Sequence, residues 1–561
     1  MTNFIKDLAT LWSWTGELAA PGWRRVAVPL GLAFCGCVSP ETPEVGSPHG
    51  SGTHDSIVIA TSADITGVNQ LLSGDTRFNQ NIIDQMFLHL FEEQPDFAAG
   101  PPTFAPQLAT HYEWSSDHTE LTLHLRDDVT WSDGEPVTAH DVYWTWKAQT
   151  DPDIAWAYAQ SKENIRAIET IDDTTLRIKY GSSSTSQLAN LNEGVILPKH
   201  IWSTLAFREW RQNSRWFTDN LVVSGPYILD SWKQNQEIVL KPNAKYSLED
   251  PESVESIETI VFRNIPETTN QLHQLRAGAV DFVERVPPAA ASRLSSSDEI
   301  RLIKFSPRQY SFICWNTMHP LFADAAIRKA LTLGIDRAGI IENLWYGQAK
   351  VSTSPIISSV WAFNSDLQVL DYDPRAATAI LRERGWVDSD GDGVLDREGE
   401  SFKFSLTTNA GNRLRSDAAV MIQSQLLKIG VVVVVRKIEF NTLLEMNQSH
   451  RFDATIGAWG IDTSLDLKYA FHSASIDQGY NYGGYRNVKV DRLIDHANQQ
   501  TDLNALKLDL WRIQQILHDE QPYTFLWEPQ RVTAVRNRVQ GVQPNSLSAY
   551  FQLHRWRLVE P

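Results

Sequence analysis

The stretch Leu121-Thr122-Leu123-His124-Leu125-Arg126-Asp127-Asp128-Val129-Thr130-Trp131-Ser132-Asp133-Gly134-Glu135-Pro136-Val137-Thr138-Ala139-His140-Asp141-Val142-Tyr143-Trp144-Thr145 carries the strongest structural signal in the chain. Leu121, Leu123 and Leu125 alternate with polar residues, which predicts a strand with one buried face. Ser132-Asp133-Gly134 reads as a turn. Thr138 with Asp141 three residues on resembles a capping box, and Val142 and Trp146 then share a helix face. Strand, turn and capped helix are structural roles, so this stretch locates a fold without supplying a reacting group.

The same grammar extends in both directions. Ile57-Val58-Ile59-Ala60 is a short apolar strand, and Leu176, Ile178 and Tyr180 alternate with polar residues. The five valines at 431–435 follow a helix that stops at Gly430, and they read as a strand buried on both faces. Asp373-Pro374 places a cap before a proline at the first helical position, with Gly385 closing the helix. Residues 325–344 carry Ile327, Ala330, Leu331, Ile341 and Leu344 at helical spacing, broken near Gly334 and Gly339. Strands interleaved with helices along the whole chain predict α/β lobes. No repeat of solenoid or propeller length is evident.

At 561 residues the chain has room for more than one core, and 42% hydrophobic with 21% charged residues is a globular composition. A formal charge of −18 repels phosphate backbones and argues against a nucleic-acid partner. The 20 Trp, 15 Tyr and 22 Phe suit either a grip on partly polar ligands or a large aromatic core. Arg24-Arg25, the apolar run at 26–34 and then Cys35-Gly36-Cys37 form a basic, apolar, cysteine order. That run is too short to span a bilayer and has the length of a signal-peptide apolar region. It resembles a bacterial lipoprotein signal over residues 1–36, with Cys37 as the lipidated residue; a simple cleaved signal is the alternative. Residues 37–56 read as a flexible tether, and Cys314 would be the one remaining thiol, so no internal disulfide is expected.

Catalytic strings are missing: there is no G-x-S-x-G, H-E-x-x-H, P-loop or G-x-G-x-x-G. Asp388-Ser389-Asp390-Gly391-Asp392-Gly393, with Asp396 at the ninth position, matches the start of a calcium loop, but Gly399 stands where a bidentate glutamate belongs. An acidic, glycine-rich turn is the expectation, and weak calcium binding by Asp388, Asp390, Asp392 and Asp396 is the alternative. No other cofactor is expected.

The opening stretch closely resembles the signature of the bacterial extracellular solute-binding proteins of the peptide and nickel class, the receptors of oligopeptide and dipeptide ABC importers. Ser224-Gly225-Pro226-Tyr227, the turn at 243–246, L-R-A-G-A-V-D at 275–281, Ile327-Arg328-Lys329-Ala330-Leu331 with Ile335-Asp336-Arg337, residues 372–385, and N-Y-G-G-Y-R-N-V-K-V-D at 481–491 are similar to later blocks of that family. Val223 departs from its usual glycine.

The resemblance implies an α/β, two-lobed periplasmic-binding-protein-like type II fold with an extra subdomain. Lobe one would span 57–308, lobe two 309–527, and residues 528–561 would return to lobe one; crossover segments near 309–316 and 523–527 would form the hinge. The implied function is capture of peptides and delivery to the permease of an ABC importer, by a monomer outside the cytoplasm held at the membrane through lipid on Cys37. A family aspartate pairs with the ligand ammonium, and the carry-over lands on Asp462, after the strand that ends near Trp459. Trp459, Asn316, Ser62, Ala63 and Asp64 are analogous ligand-binding positions. Rival readings are the same receptor binding an oligosaccharide or a nickel chelate, and a secreted hydrolase; turnover would separate the last from a receptor.

Overall fold

The alternation at 121–125 becomes the strand Glu120–Leu125, with Leu121 and Leu123 fully buried. It lies in a four-stranded antiparallel sheet in the order Ala109–Trp114, Glu120–Leu125, Thr175–Tyr180, Ile165–Thr170. The capped helix Ala139–Gln149 packs against this sheet. Its Asp141 carboxylate accepts the Thr138 N–H at 2.9 Å and the Lys199 N–H at 3.0 Å, so one buried acid fixes the helix start and a distant segment together. The computed structural model describes residues 55–559 apart from 74–75, 249–256, 296 and 478. The signal-like segment, Cys37 and the tether up to residue 54 lie outside the described residues. No helix among the described residues is long and apolar enough to cross a membrane.

Two larger sheets organise the rest. The first has seven strands in the order Ile300–Phe305, Arg531–Arg536, Phe282–Val283, Ser56–Thr61, Thr259–Asn264, Glu237–Pro242, Tyr227–Lys233. Ser56–Thr61 runs parallel to both of its neighbours, whereas Arg531–Arg536 is antiparallel to its own. The second has six strands in the order Ala349–Val351, Tyr523–Pro529, Gln309–Trp315, Ala454–Gly460, Lys403–Asn409, Val432–Ile438. The chain passes from the first sheet to the second through residues 306–308 and returns through Gln530.

Each sheet has its own apolar filling. One core joins the first sheet to the four-stranded sheet and contains Trp131, Trp202, Trp210 and Trp556. The second sheet is covered on one face by the helices Ala325–Leu333, Pro374–Glu383 and Arg413–Leu427, and on the other by Val488–Ala497 and Leu503–Glu520. Much of the tryptophan excess is therefore core.

The valine run is only partly as expected. It follows the helix and Gly430, whose φ of +79° a side chain would strain. The strand Val432–Ile438 lies at the edge of its sheet, however, and Val434 is exposed. Val433 packs in the core with the helix Arg413–Leu427 while Val434 faces outward, so the hydrophobic run reports strand propensity and not burial on both sides.

Several of the family-like blocks turn out to be fastenings. The Ser224 hydroxyl accepts the Leu88 N–H, a Cβ on Gly225 would lie 2.6 Å from the Met86 carbonyl carbon, and the Asn243 amide donates to the Gly225 carbonyl. Arg328, almost wholly buried, donates to the carbonyls of Phe322, Ala323, Glu520 and Gln521, so its charge is solvated by backbone.

Candidate functional site at the strand crossover

The central pairing of the second sheet sets Gln309–Trp315 antiparallel to Ala454–Gly460, with Gln309 opposite Gly460 and Tyr310 opposite Trp459. The Ile461 N–H then donates to the Arg308 carbonyl at 2.8 Å, which carries the pairing one step beyond the strand. Asp462 follows immediately. The residue that the family pattern singles out therefore stands beside the segment that joins the two sheets.

A polar clip closes this corner. Arg308 Nη1 lies 2.7 Å from Glu93 Oε1 and donates to the Thr463 hydroxyl at 3.1 Å, and that hydroxyl donates to Glu93 at 3.0 Å. Glu93 belongs to the strand Phe91–Glu93 on the side of the first sheet, and Thr463 follows the second sheet, so the clip joins the two bodies through the crossover residue. The Arg308 guanidinium also lies 4.0 Å from the ring centre of Phe97, which is itself part of the second sheet's core. Burial pushes the Arg308 pKa down while the Glu93 carboxylate pulls it up.

Asp462 has the opposite character. Its side chain is open to water and accepts a hydrogen bond from the Ser464 hydroxyl at 3.0 Å, with no ion pair among the described residues. Even so, its pKa is pushed up to about 6, first by the surrounding protein, then by the Asp466 charge, against hydrogen bonds from Ser464 and Leu465. Contact with water combined with strong desolvation is what the wall of a narrow cleft provides. Glu193, at the end of the helix Gln187–Asn192, adds further negative charge from the first body.

Trp459 builds the apolar side of this corner. Its ring is 5.8 Å from Tyr482 and 5.9 Å from Phe312 in stacked geometry, and 5.6 Å from both Tyr469 and Tyr480. Phe312 in turn stacks on Tyr523 at 4.2 Å, and Tyr523 lies on the second crossover strand. Gly457 leaves room for this: a Cβ there would meet the Phe312 ring at 2.9 Å. Burial and the Asp462 charge both raise the Tyr469 pKa, so its phenol stays protonated and able to donate. A cavity of about 480 Å³ adjoins the same loop, between Thr463, Ser464 and Leu465 on one side and Phe104, Tyr112 and Trp114 of the four-stranded sheet's side on the other.

The other sequence-singled residues are not gathered here. Asn316 lies at the far end of the strand Gln309–Trp315, roughly 20 Å away along a strand rising about 3.3 Å per residue. Its amide donates to the carbonyls of His450 and Phe452 and its oxygen accepts the Met318 N–H, so its hydrogen-bonding capacity serves a loop. Ser62 and Ala63 are exposed just beyond the strand Ser56–Thr61. Asp64 accepts the Trp232 indole N–H and the backbone N–H groups of Ile65 and Asn235, which ties that strand end to the hairpin formed by Tyr227–Lys233 and Glu237–Pro242. Asp388, Asp390 and Asp392 do converge, with ligand atoms within 4.8 Å of one another on an exposed turn. Asp396 is not part of that cluster and accepts the Ser389 N–H and hydroxyl. Glu93, Arg308, Thr463 and the three tyrosines were not anticipated from sequence; only a charge directly before an apolar strand, at Arg308, gave a local hint.

Comparison with known proteins bears on the family and the fold. Residues 103–481 match the family described as bacterial extracellular solute-binding proteins, family 5 middle. The oligopeptide-binding protein AppA of Bacillus subtilis (strain 168) is 30% identical over 444 residues, covering 78% of this chain and 80% of that one. The probable D,D-dipeptide-binding periplasmic protein DdpA of Escherichia coli (strain K12) is 23% identical over 500 residues, 88% of this chain and 92% of its own. Among solved structures, B. subtilis AppA in complex with a nonapeptide superposes with a TM-score of 0.77 at 27% identity, over 90% of this chain and 99% of that one. NikZ from Campylobacter jejuni in complex with Ni(L-His) shares the fold, with a TM-score of 0.77 at 22% identity, over 90% of this chain and 99% of that one.

Proposed function

We propose that this chain, which belongs to family 5 of the bacterial extracellular solute-binding proteins, captures peptides between its two lobes and delivers them unchanged to the permease of an ABC importer. The fold is the two-lobed type II periplasmic-binding fold, here with the four-stranded sheet as an added subdomain. The observation that carries the reading is Asp462: a desolvated, water-accessible carboxylate with no cation of its own, next to an aromatic wall and beside the crossover. Such a group favours a ligand that brings a positive charge, and the terminal ammonium of a peptide is that charge. Trp459 and its tyrosine neighbours offer flat apolar surface with polar tips to the adjoining chain of the guest, a mode that tolerates varied side chains.

The two lobes meet through two short connections, so closure around a ligand touching both of them favours one arrangement over the other, and the permease would read that state. Lipid on Cys37 would hold the receptor at the membrane, supported by the basic, apolar, cysteine order at 24–37. Titration calorimetry with a short peptide and its N-acetylated form tests the proposal. The expected result is one-to-one binding of the free amine, much weaker binding of the acetylated form and recovery of intact peptide. Equal binding of the two forms, or hydrolysis of the peptide, would overturn it.

A further inference from the structure

The outer face of the four-stranded sheet carries a second cluster with a chemistry of its own. In the edge strand Ala109–Trp114, His111 and Glu113 are two residues apart and so lie on one face, while Tyr112 and Trp114 point to the other. His111 is directly opposite His124 on the neighbouring strand, and Glu113 is opposite Thr122. Leu121, Leu123 and Leu125 take the buried face of that neighbouring strand, which leaves His124 on the outer side with His111 and Glu113. The two imidazole rings stack at 4.3 Å with 9° between their planes, and the ligand atoms of all three residues lie within 4.8 Å of one another.

We propose that His111, Glu113 and His124 form a binding site for a divalent transition cation of the zinc type, on the face of the subdomain opposite the cavity lined by Tyr112 and Trp114. The donor set decides the class of ion. Two neutral imidazoles and a carboxylate suit zinc and its borderline neighbours, whereas calcium and magnesium prefer all-oxygen sites. Turning the two imidazoles out of their stack would bring three groups at these separations onto one ion, since cross-strand partners are already adjacent.

A neighbour orients the first ligand. Thr110 Oγ1 donates its only hydrogen to the His124 carbonyl at 3.1 Å and lies 2.9 Å from His111 Nδ1. With its proton on that carbonyl, the hydroxyl would accept from His111, an arrangement that puts the His111 proton on Nδ1 and leaves the Nε2 lone pair for a metal. Outer-shell fixing of the tautomer is a recurrent partner of metal-bound histidine. Thr110 is thus a positioning residue.

Calorimetric titration of the chelator-treated full chain with zinc chloride provides the test, read as the difference between wild type and variant so that Cys35, Cys37 and other donors cancel. His111→Ala and His124→Ala should each remove one bound equivalent or weaken it at least tenfold, and Glu113→Gln should weaken it less. Thr110→Val should lower the affinity by about tenfold, and Thr110→Ser should restore it. X-ray absorption of the zinc-loaded protein should lose its imidazole signature in the His111→Ala, His124→Ala double variant, and excess calcium or magnesium should not compete. Asp462→Asn should leave zinc uptake unchanged, so this site stands or falls apart from the peptide reading. Equal zinc uptake by wild type and the double histidine variant would overturn the proposal.

Discussion

Asp281 and Asp462 are carboxylates at sheet ends in different lobes, and their surroundings are opposites. Asp281 is 2% exposed, and Arg538 clasps it with two hydrogen bonds of 2.6 and 2.7 Å while the Val58 N–H donates to it at 2.9 Å. The same guanidinium donates to the Ser56 carbonyl, so the returning C-terminal segment is pinned to the first strand of the chain. Asp462 is desolvated without a comparable partner. At Asp281 the fold supplies the counter-ion itself. On the proposed reading, the counter-ion of Asp462 is the ligand's ammonium.

The largest effect should come from breaking the self-contained pair. Arg538→Ala leaves Asp281 buried without a cation and should cost about 3 to 5 kcal/mol of stability, read from urea unfolding, with the peptide affinity of the folded fraction unchanged. The second effect should be of similar size in the other currency. Asp462→Asn should lose about 2 to 5 kcal/mol of peptide affinity by calorimetry and no stability. A stability loss at Asp462→Asn, or an affinity loss at Arg538→Ala, would erase the distinction between the two acids.

Acidity gives a smaller and more specific handle. The Asp462 pKa in the free protein is about 6, above its ordinary value, so the folded chain holds this proton to higher pH than the unfolded chain does. Its contribution to stability therefore falls as pH rises from about 4 to about 6. Ligand binding has the opposite slope: the ammonium needs the ionised carboxylate, so affinity should be about tenfold weaker at pH 5 than at pH 8. Calorimetry across that range should show the slope in wild type and lose it in Asp462→Asn. Asp466, Glu193 and Arg308 face the same corner; Arg308 feels the Asp462 charge, but its ion pair is with Glu93.

What the sequence disclosed follows from the range of the interactions involved. The strand Glu120–Leu125, the capped helix Ala139–Gln149 and the Asp373 cap of Pro374–Glu383 were legible because alternation and capping act over a few residues. The exposure of Val434 was not legible, since being at the edge of a sheet depends on strands elsewhere in the chain. At the candidate site the same rule holds. Trp459 and Asp462 share a local pattern, whereas Glu93, Arg308 and Thr463 come together only through the crossover, and Tyr482 reaches Trp459 from another loop. At Asn316, a family-like position, the amide holds a loop through the carbonyls of His450 and Phe452, a contact that no local pattern announces.

The clip formed by Glu93, Arg308 and Thr463 gives the finest test, because it joins both lobes yet lies beside Asp462. Thr463→Val removes a hydroxyl that accepts from Arg308 and donates to Glu93, a loss worth about 1 kcal/mol for one neutral hydrogen-bonding group. Which quantity it changes depends on where the hinge turns. The Ile461 N–H bonds the Arg308 carbonyl and Gln309 pairs with Gly460, so the clip sits on the crossover, where lobe motion displaces atoms least. Bonds at such a place persist in open and closed arrangements alike and cancel in the binding equilibrium. Thr463→Val should therefore lower unfolding stability by about 1 kcal/mol while peptide affinity stays within about twofold. An affinity loss matching the stability loss would mean that the clip forms only on closure. It would then belong with Asp462 on the recognition side of the molecule and not with Asp281 on the structural side.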